Sequence, residues 1–160
     1  MKITGLITEY NPFHNGHQYH IEKAKKLTKA DKVVVVMSGN FVQRGAPALL
    51  PKHLRTKMAL KSGADLVIEL PVFYACASAE YFAYGAVSLL HALRCVDSIC
   101  FGSECGDLTL LQKAADIMAE EPDAYKHSLQ SYLRDGYRFP LARQKAFQDF
   151  TKEEGIASIL

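Results

Sequence analysis

The run Lys32-Val33-Val34-Val35-Val36-Met37 constrains this chain more than any other segment. Four consecutive β-branched residues do not alternate between a wet and a dry face, so the segment reads as a strand covered on both sides, as in a parallel sheet. Ile3 to Ile7, Asp65 to Leu70 and Val96 to Phe101 read as three further strands. Between them the spacing turns helical: from His17 onward through Ile21, Ala24 and Leu27; from Pro51 through Leu54, Met58 and Lys61, ended by Gly63; and from a Ser78 cap with Phe82, Ala86, Leu89 or Leu90, and Leu93 facing inward. Asp107 caps a helix reaching about Ala119, and Pro122 to Arg134 and Leu141 to Phe150 read as two more, separated by Gly136 and Pro140. The order βαβαβαβα followed by helices predicts an α/β fold with a doubly wound parallel sheet and C-terminal helices. The sheet domain is expected over residues 1–120, with 121–160 a helical extension of it.

With 160 residues, 49% of them hydrophobic and 22% charged, the chain fits one domain able to bury a substantial core. A net charge of +2 argues neither for nor against a nucleic-acid partner. The longest apolar runs are strand-sized, far short of the roughly 20 residues that span a bilayer, so no membrane partner is expected. The N-terminus runs straight into a strand without a signal-peptide pattern, which makes a cytoplasmic location the expectation. Cys76, Cys95, Cys100 and Cys105 have neither CxxC spacing nor a nearby histidine pair; they read as reduced thiols, mostly in or near the core, and no metal site is expected from them.

Chemistry concentrates in Thr8-Glu9-Tyr10-Asn11-Pro12-Phe13-His14-Asn15-Gly16-His17, where the first strand gives way to a helix. A helix start offers unpaired N–H groups and the positive end of a dipole, so a polyanion such as the phosphates of ATP is favoured there. Open α/β sheets bind their ligands at this edge. His14 and His17 add movable donors, and Gly16 lets the backbone approach a nucleotide. The competing reading is a polar loop with two surface histidines. Neither histidine need act as a general base there; both can meet negative charge on a bound polyanion.

Other candidates carry paired readings. Gly102, in Gly102-Ser103-Glu104 after the fourth strand, is either a turn or a contact for adenosine. Asn40 and Arg44, in the loop Ser38 to Gly45, either touch substrate or form a surface loop. Arg55 either faces the site or is solvent-exposed, the second being the simpler. Glu9 and Glu69 either orient ribose or magnesium or are structural, the structural reading again being preferred; Lys23 and Lys26 read as a solvated face. Tyr74, Tyr81, Phe82 and Tyr84 read as helix packing rather than a base-stacking platform.

The pattern His14-Asn15-Gly16-His17 with its upstream Asn11-Pro12-Phe13 resembles the signature of the HIGH-type nucleotidyltransferase superfamily. Taken with Val36 to Gly45, Gly63 to Pro71 and Phe101 to Glu104, it makes the chain similar to the N-terminal catalytic region of the bacterial tRNA cytidine acetate ligases. The resemblance implies a nucleotidyltransferase fold that binds ATP, with Mg²⁺, and activates acetate to acetyl-adenylate. Acetyl transfer to the wobble cytidine of elongator methionine tRNA follows. It further implies His14 and His17 as catalytic residues. The implied ATP contacts are Ile7, Thr8, Glu9, Tyr10, Asn11, Pro12, Phe13, His14, Asn15, Gly16, His17, Gln18, Tyr19, His20 and Gly102. Members of that family continue past Leu160 into segments that complete the nucleotide site and hold tRNA, so this chain is expected to be a fragment that does not acetylate tRNA by itself. A small-molecule adenylyltransferase of the nicotinamide-mononucleotide or phosphopantetheine kind, and a non-catalytic nucleotide-binding module, are the alternatives.

Overall fold

A computed structural model describes residues 1–152. They form two compact units, the first spanning Met1–Phe101 and the second beginning at Gly102. This division falls nineteen residues before the boundary drawn from the sequence.

The first unit is a four-stranded parallel sheet in the order β3-β2-β1-β4. Its strands are β1 (Ile3–Thr8), β2 (Lys32–Ser38), β3 (Leu66–Leu70) and β4 (Ser98–Ile99). On β2 the side chains part as the β-branched run requires. Val33, Val35 and Met37 pack with Leu6 against Ile21 and Ala24 of α1 (Asn15–Thr28) and Ala59 of α2 (Lys52–Lys61). Val34 and Val36 pack with Leu70 against Ala75 of α3 (Val72–Ala75) and Ala86 and Leu90 of α4 (Ala79–Ala92). Helices on both faces make the sheet doubly wound, as expected. Gly5 lies under α4, where a Cβ would come within 2.7 Å of Leu90 Cδ1.

Several boundaries move for identifiable reasons. The third strand starts at Leu66 rather than Asp65, because the Asp65 carboxylate accepts the Val33 N–H at 2.8 Å and takes the place of a strand partner. The fourth shrinks from Val96–Phe101 to two residues; Asp97 likewise spends its carboxylate on the Ile3 N–H at 2.7 Å, and Val96 turns into the core beside Leu90. Pro71 stops β3 and starts the short α3, which the sequence reading did not separate. Ser78 occupies the N-cap of α4 without a side-chain capping bond, and Leu93 is not an inward residue. Gly85, inside α4, sits against the Tyr74 ring, where a Cβ would collide with it. Cys100 is half-buried and packs against the core and Cys76 is half-buried, whereas Cys95 and Cys105 are exposed, so half of the four free thiols, rather than most, lie at or near the core.

In the second unit Asp107 caps α5 (Leu108–Glu120) by accepting the Thr109 and Leu110 N–H groups at 2.8 and 3.3 Å, as its position predicts. α6 (Asp123–Arg134) and α7 (Phe139–Thr151) complete it, with Ala114, Ile117, Tyr125, Ala146 and Phe147 as core. The end of the expected extension, 153–160, lies outside the described residues. Among the described residues no helix is long and apolar enough to cross a membrane.

Candidate active site

The chain leaves β1 in the middle of the sheet, runs to β2 on one side, and later returns to β4 on the other. The carboxyl ends of β1 and β4 therefore flank the point where strand order reverses, the crevice in which such sheets bind ligands. The β1 exit is tightly built. Tyr10 has a left-handed backbone (φ 49°) and is almost fully buried; its ring meets Phe13 and His17 edge-on at centroid distances of 4.8 and 4.9 Å. Burial pushes its phenol up to about 12. The Asn11–Pro12 peptide is cis.

This corner delivers His14 to the N-cap of α1, so the helix starts at Asn15, two residues earlier than the spacing suggested. The two histidines interlock. The Gly16 N–H donates to His14 Nδ1 at 3.1 Å, and the His14 N–H donates to His17 Nδ1 at 3.2 Å. A ring nitrogen that accepts carries no proton, so each neutral imidazole holds its hydrogen on Nε2. Two Nε2–H donors thus sit at the positive end of a 14-residue helix. Burial, reinforced by the neighbouring His14 and His20, holds His17 below the usual histidine range. His20, one turn on, is also lowered by burial, partly offset by the Cys100 backbone. Gly16 has a reason beyond ligand approach: a Cβ there would lie 3.0 Å from His14 Cε1 and press the capping ring away.

Not every residue of the expected nucleotide segment faces outward here. Glu9 and Asn11 anchor the loop after β2: Glu9 Oε1 accepts the Gln43 N–H at 2.6 Å and Asn11 Oδ1 accepts the Leu49 N–H at 2.7 Å. Ile7 packs on the α4 side of the sheet, and Thr8 is half-buried at the strand end. Pro12, Asn15 and Tyr19 are exposed, and Gln18 Nε2 donates to Glu22 Oε1 at 2.9 Å along α1. Gly102 opens the second unit, three residues after β4. In the loop, Asn40 Oδ1 accepts the Lys52 N–H at the start of α2, while Arg44 is an exposed tip residue (φ 140°) beside Gly45 (φ 83°).

Arg55 overturns its simpler reading. It is fully buried, and its guanidinium donates to the carbonyls of Glu9, Gly39 and, at 3.0 Å, Leu50. One side chain thereby pins the β1 exit and both ends of the β2 loop. The sequence hid this because three of the partners' acceptors are backbone carbonyls, which no residue type reveals. Glu69, at the end of β3, pairs with Lys52 at 2.6 Å and is half exposed.

Residues 1–159 match the HIGH Nucleotidyl Transferase family. The chain is 57% identical over 150 residues to the tRNA(Met) cytidine acetate ligase of Clostridium perfringens, covering 94% of this chain and 37% of that protein. It is 57% identical over 160 residues to the ligase of the same name from a Thermoanaerobacter species, covering 100% of this chain and 40% of that one. Among solved structures, Thermotoga maritima TmcAL bound with α-thio ATP superposes with a TM-score of 0.90 at 47% identity, covering 97% of this chain and 37% of that one. The chain thus spans well under half the length of these relatives. A parallel sheet with an interlocked His-x-Gly-His cap at its point of reversed strand order, matched along 1–159, places the chain in the HIGH nucleotidyl transferase family.

Proposed function

We propose that the chain is the ATP-binding, adenylate-forming part of a tRNA(Met) cytidine acetate ligase. ATP lies at the β1 carboxyl edge with its phosphates against the start of α1, acetate attacks the α-phosphate, and pyrophosphate leaves. The observation that carries this reading is the reciprocal His14–His17 cap, which turns both Nε2–H groups into donors beside a helix N-terminus. Charge accumulating on the departing pyrophosphate meets donors that need no rearrangement, the arrangement that lowers such barriers most. Among the described residues no cluster of three His, Cys, Asp or Glu side chains could hold a metal. Mg²⁺, where bound, would bridge phosphate oxygens of ATP, as it does at most nucleotide sites. The acetyl group then passes from the adenylate to the wobble cytidine of elongator methionine tRNA.

ATP–pyrophosphate exchange tests the reading in a protein of the relatives' length. Exchange that depends on acetate is the expected result; exchange that depends instead on a nucleotide or pantetheine substrate assigns the chain to the small-molecule adenylyltransferases.

A further inference from the structure

Past the histidines, the carboxyl edge holds a second constructed feature, at the ends of β2 and β3. A cavity of about 240 Å³ is lined by Gly39, Asn40, Phe41, Glu69 and Val72. Phe41 and Val72 are exposed apolar side chains, 45% and 60% accessible, and offer flat contact area at an otherwise polar edge. The polar groups between them are individually fixed. Glu69 Oε2 is held by Lys52 Nζ and the carboxylate feels the nearby Arg55 charge, while Oε1 lies against Gly39, where any Cβ would collide with it, and has no hydrogen bond among the described residues. Asn40 spends its oxygen on the Lys52 N–H, leaving its NH₂ to donate. The pocket therefore presents one free carboxylate acceptor and one free amide donor beside an aromatic ring.

That set matches a flat heterocycle with a donor next to an acceptor on one edge. Cytosine is such a ring: N4–H₂ donates, N3 and O2 accept, and a carboxylate is the usual partner for N4. Aromatic side chains stack on bases in the same way. The strand register pairs Thr8 with Met37 and Met37 with Glu69. At strand spacing this sets Glu69 roughly 10 Å from the end of β1, on the edge where the adenylate would form.

Resting on the function proposed above, we propose that the Phe41–Asn40–Glu69 pocket holds the acceptor cytosine, with Glu69 Oε1 taking the N4–H hydrogen bond and setting the preference for cytidine over uridine. Uracil puts an acceptor, O4, where cytosine has N4–H₂, and would face Glu69 oxygen to oxygen.

The test is an amide NMR titration of the chain with its ATP site saturated, using cytidine and uridine as probes. Cytidine is expected to shift Gly39, Asn40, Phe41 and Val72, with uridine about tenfold weaker. Phe41→Ala should weaken both nucleosides, Glu69→Ala should abolish the preference, and Glu69→Gln, whose amide can donate to O4, should narrow or reverse it. Since Glu69 also holds Lys52, the spectra of each variant outside this edge serve as the check on folding. No cytidine response, a response away from this pocket, or equal affinity for the two nucleosides overturns the assignment. Acetate-dependent exchange by the unsubstituted protein of the relatives' length separates the two readings: exchange without a cytidine preference removes only the pocket, and a cytidine preference without exchange removes acetate activation.

Discussion

His14 and His17 stack with ring centroids 3.7 Å apart and planes inclined by 30°. The stack is not incidental to their backbone bonds. An N-cap side chain and the one three positions on are neighbours, so filling both positions with imidazoles lets each ring satisfy a backbone N–H through Nδ1 while its Nε2 carries the hydrogen. An ionised Asp cap would quiet the same backbone groups but, being acceptor-only, would offer a polyphosphate no donor.

In a protein of the relatives' length, His14→Ala or His17→Ala should slow acetate-dependent exchange by about 10²–10³. ATP affinity, measured by calorimetry, should fall much less, because the proposed contacts strengthen as pyrophosphate leaves. A double variant with near-native exchange would contradict the role given to the pair.

His17 provides a pH signature. Its pKa lies below the ordinary histidine value, chiefly through burial, so it is neutral in the free protein at pH 7. A polyphosphate beside it favours the charged form and raises that pKa. ATP should therefore bind more tightly as pH falls from the bound to the free pKa, and level off below the free one. Long-range ¹H–¹⁵N spectra of the imidazoles read the shift directly; binding that leaves His17 unmoved would place the phosphates elsewhere.

Arg55→Met should destabilise the chain by roughly 3 kcal/mol, since it strands the carbonyls of Glu9, Gly39 and Leu50 that the guanidinium satisfies. Arg55→Lys keeps the charge but loses the fork and should recover only part of the loss. Thermal melting of the two variants measures the difference, and equal melting temperatures would show that geometry does not matter there.

Asp65 governs part of the acid limb. Burial by itself would raise its pKa, but hydrogen bonds from Lys32 Nζ and the Val33 N–H, both 2.8 Å, and the Lys32 charge outweigh it and hold the value down. A depressed folded pKa gives stability that is fully present above the unfolded value of about 3.9 and lost as pH falls through the folded one. Asp65→Asn should cost about 1 kcal/mol at pH 7 and flatten the pH dependence below about pH 4. Parallel stability curves for the two proteins in that range would refute the assignment.

Periodicity made much of the sheet legible. Val33 to Val36 announced a strand buried on both faces, and Asp107 announced a helix start that its carboxylate makes. Edges were less legible, because Asp65 and Asp97 replace ladder bonds with side-chain acceptors, and a run of apolar letters does not say where that substitution begins. At the start of α1, residue type and position pointed to the histidines and the glycine between them, and the structure joins them in one interlocked cap. The loop-anchoring bonds of Glu9 and Asn11 were not legible, since their partners are main-chain N–H groups of Gln43 and Leu49, more than thirty residues away. Arg55 escaped for the same reason.

Tyr10 joins a left-handed backbone to a buried ring, and neither can be given up alone. The left-handed conformation costs an ordinary residue about 1–2 kcal/mol, which burial of the ring's apolar area offsets, so the corner closes only when the aromatic is seated. Relaxing the turn means pulling that ring away from Phe13 and His17. The loop bearing His14 is therefore preorganised: its conformational entropy is lost when the chain folds, so under the proposed function ATP would meet a histidine pair already in place.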